Sequence, residues 1–505
     1  MNSRAKKTLS DSLKYSVSGY FSYIFSFIVG IITRRILGPA LMGIFSELML
    51  IFQYMKFYDM GILNSLDKEV PYWNGRNDID KSRWIQDIGF SVNLYLSLIT
   101  GIILVLFSFF IKDTDPVFIL GLRILAVLIV IQALASFYTV IIRTHHKFNI
   151  LSFYVILVAV LELILIIFLG IKYNFYGVLA AFFLTILMGV IYLWKATARH
   201  FHVYIKLPWK EIGRLFKIGF PLFLSGLIFL LVRSIDRIMI IGFLDQTQLG
   251  YYSIATMMFA GIFQLPNLIY SVIFPRFYEA FGRSDLKGVR LHFEKPTLIF
   301  AYLFPIIIGA TILVLPFFIH YLLLDYQPGV ISANILLLGI FFISLINMPM
   351  YLLTALNKQR YIVIFGLIAT FIIFASDYIF LKIGLGLKGI ALGTCLGYFF
   401  YCTTLMVFSY RHYAKDMREL LLFLKKIYMP FMWMAASIYL LTMVFKNDLF
   451  YGFPKDLFLM LIKEISFLII CLPLCYFLNR ETNFMTEIFS HIRVAIDTRR
   501  KKINL

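Results

Sequence analysis

The sequence predicts an all-α polytopic membrane protein of about 14 transmembrane helices, with two six-helix lobes related by a parallel repeat plus two C-terminal helices. Three observations carry this. The chain holds fourteen apolar segments, each near the roughly 20 residues that a helix needs to cross a hydrocarbon core. It is 61% hydrophobic and 15% charged, whereas a soluble domain carries about 25% charged residues. Its Lys and Arg residues concentrate in every second connecting segment. The apolar runs are continuous and lack two-residue alternation, so helices are expected rather than a barrel.

In order, the spans are Tyr15 to Ile32, Met42 to Ile62, Gly89 to Ile111, Val117 to Ile142, Leu151 to Ile171 and Gly177 to Leu193. The second set is Ile218 to Phe243, Tyr251 to Phe274, Leu298 to Ile319, Val330 to Leu353, Tyr361 to Leu381 and Ile390 to Phe408. A last pair covers Ile427 to Val444 and Leu457 to Phe477. The expected organisation is therefore an N-lobe over 1–198, a linker over 199–217, a C-lobe over 218–411, and two extra helices with a basic tail over 412–505. The longest loop is expected between Leu63 and Ile88. No connecting stretch is long enough for a soluble catalytic domain, and the chain reads as a transporter rather than an enzyme.

Net charge is +20, but its placement argues against nucleic acid. With the N-terminus inside, cytoplasmic segments hold 34 Lys and Arg residues and external ones 8. That bias places both termini in the cytoplasm and favours contact with anionic lipid headgroups. The polar start runs into a full-length span without a small-residue cleavage site, so no cleavable signal peptide is expected. All four cysteines, Cys395, Cys402, Cys471 and Cys475, fall inside spans and read as packing residues.

The two halves repeat at a shift of 207 positions. Ser18-Gly19 falls on Ser225-Gly226, Leu37 on Leu244, Gly43 on Gly250, Ser46 on Ser253, and Gly75-Arg76 on Gly282-Arg283. Over Ser18 to Asp78 the shift gives 12 identities without a gap. Six spans per half is an even number, so both halves enter the membrane in one direction. The linker Phe201 to Lys217 is expected to lie on the membrane surface as an amphipathic helix. The tail, with Phe484, Ile488, Ile492 and Ile496 four apart and ending in Arg499 to Lys502, reads equally as a surface-lying helix or as a solvated basic tail.

Charges inside a span cost about 2.5 to 3.5 kcal/mol each, so they face a cavity or a partner. In span seven, Arg233 and Arg237 are four apart and share a helix face, with Asp236 three from Arg233. Two readings stay open: Asp236 neutralises Arg233, or surplus guanidinium lines a cavity and grips phosphate oxygens. Lys56 and Asp59 in span two are three apart and either pair or serve the same cavity. Arg123 stands alone in span four, open to a cavity role or to pairing with Glu162 or Asp377. Glu47 reads as interfacial, and Lys463-Glu464 as structural. His145 and His146 lack the partners of a metal site. No Gly-rich phosphate loop occurs, so no internal ATPase and no cofactor are expected.

Leu37-Gly38-Pro39, Gly43-Ile44-Phe45-Ser46, Asp59-Met60-Gly61 and Gly75-Arg76-Asn77-Asp78 resemble the first two helices of bacterial polysaccharide flippases. In the second half, Lys217-Ile218-Gly219-Phe220-Pro221, Asp236-Arg237, Leu249-Gly250-Tyr251-Tyr252-Ser253 and Phe274-Pro275-Arg276 resemble the Wzx-type O-antigen flippases. These belong to the multidrug/oligosaccharidyl-lipid/polysaccharide exporter superfamily. The resemblance implies an inner-membrane flippase for a polyprenyl-pyrophosphate-linked oligosaccharide, working by alternating access in surface polysaccharide (lipopolysaccharide) synthesis; a polysaccharide assembly complex is a candidate partner. It implies that Arg34, Arg35, Lys56, Arg123, Arg233 and Arg237 contact pyrophosphate or acidic sugar. Asp59 and Asp236 would orient them or couple an ion. Many relatives have twelve helices, and the final pair departs from that pattern. The alternatives are a drug or cation antiporter of the same superfamily, or a membrane-embedded polymerase or glycosyltransferase.

Overall fold

The computed structural model describes residues 3–111, 115–197, 204–282, 286–412, 416–445, 452–484 and 486. Among them there is no strand. The described residues form sixteen α-helices, and the chain falls into two compact units, Met1–Ser253 and Ile254–Leu505. Eleven helical stretches are long and apolar enough to cross a membrane. Two of these, Val17–Met55 and Phe148–Thr197, are interrupted at Gly38 and Asn174 and each hold two of the expected spans. Large apolar side chains stand fully outward on them, such as Phe110 at 79% and Phe371 at 70% exposure. Water would not tolerate apolar surface on that scale, whereas lipid does.

In the first unit, α1 (Ser3–Met55) contains the first two spans, joined at Gly38 (φ 66, ψ 173) beside Pro39. Pro39 cannot donate a backbone hydrogen bond, and Gly38 supplies the left-handed turn. The next helix, α2 (Ile62–Gly75), occupies much of what the sequence suggested was a loop. Its residues Ile62, Leu66 and Val70, four apart, are fully buried against Ile85 and Ile88 of α3 (Ile79–Phe110) and against Leu215 further along the chain. Asp78 caps α3 by accepting from Lys81 N at 2.9 Å, and Asp115 caps α4 (Pro116–Thr144) with Pro116 in its first turn. Then follow α5 (Phe148–Leu165), a π-turn over Ile166–Gly170, and α6 (Ile171–Thr197).

The linker departs from expectation. Residues 204–208 are not helical, and Trp209 to Lys217 are the opening turns of α7 (Trp209–Val232). Asp87 of α3 holds the linker by accepting from Tyr204 N at 3.1 Å and pairing with Lys206 Nζ at 2.9 Å. Span seven is also broken, continuing as α8 (Ile235–Phe243) before α9 (Gln246–Gly282). The tail beyond Phe484 lies outside the described residues, apart from residue 486.

The 207-residue repeat has a counterpart inside this unit. A Cβ on Gly43 would lie 1.8 Å from Gln246 O, and one on Gly250 would lie 1.8 Å from Pro39 O. Pro39 and Gln246 are themselves related by the repeat, so the two contacts are reciprocal. Only glycine at both positions allows these backbones to meet.

The second unit comprises the rest of α9, then α10 (Leu286–Leu322), a 3-10 turn over Leu324–Gly329, α11 (Val330–Leu345), α12 (Asn347–Ala355), α13 (Gln359–Lys382), α14 (Gly386–Tyr410), α15 (Met417–Val444) and α16 (Phe453–Thr482). Arg290 of α10 bonds Glu294 at 2.6 Å and Glu419 of α15 at 2.5 Å. Tyr410 stacks on Phe423 with ring centroids 4.1 Å apart. These contacts fasten α15 to the preceding helices. Asp377 is fully buried against Gly393, where a Cβ would come within 2.1 Å of its carboxylate.

Candidate functional site

The break in span seven organises a buried polar cluster in the first unit. α7 ends at Val232, and Arg233 and Ser234 (φ −136, ψ −2) leave the helical path before α8 resumes. A broken helix exposes backbone groups that lipid cannot satisfy, so side chains must. Ser234 Oγ donates to Leu230 O at 2.8 Å, and Arg237 Nη2 donates to the carbonyl of Arg233 at 3.2 Å. Tyr54, from the second span, reaches Ser234 Oγ with its hydroxyl at 2.5 Å.

Asp236 is only 2% exposed. Its Oδ2 accepts from Tyr252 OH at 2.8 Å, and its Oδ1 accepts from Arg237 N at 2.7 Å. The Arg237 Nε lies 3.9 Å from Oδ1 and is buried without a hydrogen-bond partner. Arg233 lies over the Phe229 ring at 5.4 Å. One carboxylate therefore sits near two guanidinium groups, with that of Arg237 3.9 Å away. The break also means that Arg233 and Arg237 do not share one continuous helix face. A poorly solvated guanidinium such as that of Arg237, whose Nε is unbonded, can hold phosphate oxygens.

Lys56 and Asp59 lie in a second interruption. The helix stops at Met55, and residues 56–61 form turns through Met60 (φ 45) and Gly61 (φ 92) before α2 begins. The two side chains do not pair. Lys56 is solvent-accessible with Nζ 4.7 Å from the Phe52 ring centroid, and the buried Asp59 accepts from Leu63 N at 2.9 Å in the first turn of α2. The Gly61 backbone packs on that of Gly219 in α7. Beside this contact, Met60, Phe216, Phe220 and Pro221 line an apolar groove of about 600 Å³ with Lys217 at its edge.

The remaining candidates are held elsewhere. Arg34 is buried and fully engaged: it donates to Gly30 O at 2.8 Å, Ser253 Oγ at 3.0 Å and Ser253 O at 2.7 Å. Its neighbour Arg35 is exposed. Arg123 is exposed as well, donating to Ser108 Oγ at 3.2 Å over the Phe109 ring. Its partners are thus on α3 and not the acids weighed from sequence. Glu162 instead lines a cavity together with Arg34. Tyr54, Ser234, Tyr252 and Ser253 were missed because uncharged residues carry little signal inside an apolar span. The Ser46–Ser253 repeat pair was the available clue. Among the described residues no group of His, Cys, Asp and Glu is arranged to hold a metal.

Residues 9–281 match the family model described as Polysaccharide biosynthesis protein. No curated protein matches the sequence. The fold is similar to the lipid II flippase MurJ in an inward closed conformation, at TM-score 0.70 and 16% identity, covering 92% of this chain and 99% of that one. It is also similar to an inward-facing multidrug resistance MATE family transporter of the MOP superfamily, at TM-score 0.64 and 15% identity, covering 77% and 94%. The outward-facing form of a MATE family transporter gives TM-score 0.58 at 15% identity, covering 80% and 95%.

Proposed function

On the premise that this chain belongs to the polysaccharide biosynthesis protein family, we propose that it is a flippase. Its substrate is a polyprenyl-pyrophosphate-linked oligosaccharide, carried from the cytoplasmic to the outer leaflet of the bacterial inner membrane by alternating access between two lobes. The observation that carries this reading is the cluster at the break in span seven, where the buried Arg237 Nε stands 3.9 Å from Asp236 without a hydrogen-bond partner. A drug or cation antiporter would favour an acidic site. The fold shared with a lipid II flippase supports a lipid-linked cargo. The apolar groove beside Lys217 suits a prenyl chain whose phosphate lies near a cation. Lys56, exposed directly after the helix end at Met55, would meet the headgroup before it reaches Arg233 and Arg237. Arg35 and Arg123 serve the exposed surface, and Arg34 acts through Ser253.

The test is surface-polymer export in cells, normalised to membrane abundance. Arg237→Ala loses the 3.2 Å bond to Arg233 O but leaves Asp236 its bonds from Tyr252 and from the residue 237 backbone and leaves the break its Tyr54–Ser234 contact, so the variant is expected to insert with a modest loss of abundance. It should nevertheless lose most export, as should Arg233→Ala. Lys replacements, which keep charge but lose the forked donors, should be intermediate. Normal export by both Ala variants would end the cationic-site reading.

A further inference from the structure

A cavity of about 80 Å³ lies in the second unit, where the C-terminal pair of helices meets α10 and α11. The volume is enough for a few waters. Its walls come from α10, α11, α15 and α16. The lining is mostly apolar, with Pro316, Leu441 and Met460 among it, and its polar members are Asn334, Thr442 and Lys463. None of the three belongs to the site proposed above.

Thr442 gives its hydroxyl proton to Tyr439 O at 2.8 Å, so the donors and acceptors that remain for a guest are on Asn334 and Lys463. Asn334 Oδ1 is buried with no hydrogen-bond partner among the described residues. An acceptor stranded in this way is destabilising unless something donates to it. Lys463 lies ten residues into α16 from Phe453, about 15 Å along the helix axis. Asn334 is four residues into α11, and Thr442 two residues from the end of α15. The polar members therefore sit nearer the helix ends than the Lys463 backbone, and a lysine side chain reaches up toward such a level. Its ammonium carries three donors, so it can serve an oxyanion beside any protein neighbour.

A cation and an unused carboxamide in an apolar wall fit a phosphodiester. Phosphate oxygens take Lys463, and a donor on the headgroup takes Asn334 Oδ1. Free phosphate fits poorly, because it would have to shed its water into an apolar space. A lipid brings its phosphate on chains that already cover α15 and α16, where Leu440, Met443, Phe458 and Leu461 stand outward.

We propose that this cavity binds the headgroup of a phospholipid, and that the lipid wedges the C-terminal pair against α10 and α11. The charge bias of the connecting segments puts the α10–α11 and α15–α16 turns outside, so the lipid belongs to the outer leaflet. The site does not depend on what the cargo is.

The experiment reads the thermal unfolding midpoint of the purified full chain in detergent as a probe is titrated in. The probes are phosphatidylglycerol, which carries a phosphate and hydroxyl donors, diacylglycerol with the same chains and no phosphate, and inorganic phosphate. Phosphatidylglycerol should raise the midpoint saturably, and the other two should not. Lys463→Gln should weaken its apparent affinity severalfold, and Lys463→Arg should largely restore it. Lys455→Gln, at an exposed cation near the same end of α16, should bind as the parent does. Asn334→Leu removes the stranded amide without emptying the cavity. Its lipid-free midpoint should hold or rise while the phosphatidylglycerol shift shrinks, whereas loss of a structural amide would lower the lipid-free midpoint.

An unchanged affinity in Lys463→Gln, or a diacylglycerol shift equal to that of phosphatidylglycerol, overturns the site. An equal shift from inorganic phosphate overturns the lipid assignment. Displacement of phosphatidylglycerol by a lower concentration of polyprenyl phosphate would give the cavity to the cargo lipid and overturn the phospholipid assignment. If Lys463→Gln does not fold, Asn334→Leu decides: a lowered lipid-free midpoint with an undiminished shift rejects the proposal.

Discussion

Replacing Gly43 with Ala inserts a methyl group where there is no room for one. The new Cβ would lie 1.8 Å from Gln246 O and 2.6 Å from its carbonyl carbon. Both are backbone atoms, so no side chain can swing aside. The start of α9 must retreat until the contact reaches at least 3.0 Å, a movement of about 1.2 Å. Overpacking of this kind costs about 1–3 kcal/mol. The same movement stretches the Arg34–Ser253 bonds, now 2.7 and 3.0 Å, to about 4 Å, beyond hydrogen-bonding distance. Gly250→Ala strikes the reciprocal contact with Pro39, and one separation relieves both clashes. The double variant should therefore cost clearly less than the sum of the singles, as expected for sites sharing an interface. The assay is the thermal unfolding midpoint of purified protein together with maleimide labelling at Leu249→Cys, a position 2% exposed beside Gly250, in a chain whose four cysteines are replaced by Ala. Gly75→Ala, with nothing within 4 Å of its new Cβ, is the control. Unchanged midpoint and labelling in Gly43→Ala, or strictly additive effects in the double variant, would refute the close-contact reasoning.

Two further outcomes follow from the same geometry and sequence. Tyr252→Phe removes the 2.8 Å bond to Asp236, which is 2% exposed. An acceptor stranded there costs about 1–3 kcal/mol, so the unfolding midpoint should fall, while Tyr54→Phe, whose loss leaves Ser234 its bond to Leu230 O, should cost less. Reporter fusions after Arg283 and after Arg500 should both report cytoplasm, and an external signal at either place would reject the orientation drawn from charge bias.

Much of the scaffold was legible because apolar length and glycine placement act locally. The repeat marked Gly43 and Gly250 from sequence alone, and the structure gives both the same duty. The interruptions at Lys56–Gly61 and Arg233–Ser234 were not legible as breaks. Gly61 hints at the first, but Arg233-Ser234 contains neither glycine nor proline, and that break is sustained by Tyr54 and Arg237 instead. Distance in sequence hid the rest. Arg34 meets Ser253 across 219 residues, so a cation that reads as a ligand-binding group at the mouth of a span is in fact saturated. Arg123 likewise finds Ser108 and Phe109 on the adjoining helix, which spacing along its own span could not indicate. Asp59 reads as a partner for Lys56, yet the chain turns there and spends its carboxylate on the first turn of α2.

The most direct measurement of the central claim is leaflet transfer in vesicles containing the purified protein and a fluorescent polyprenyl-pyrophosphate oligosaccharide, read by quenching of the probe in the outer leaflet. The account predicts transfer that depends on the protein, is lost in Arg233→Ala and Arg237→Ala, and is competed by unlabelled lipid-linked oligosaccharide but not by a lipophilic cation. Protein-dependent transfer that persists in both variants, or a protein that moves the lipophilic cation and leaves the lipid-linked oligosaccharide in place, would contradict it.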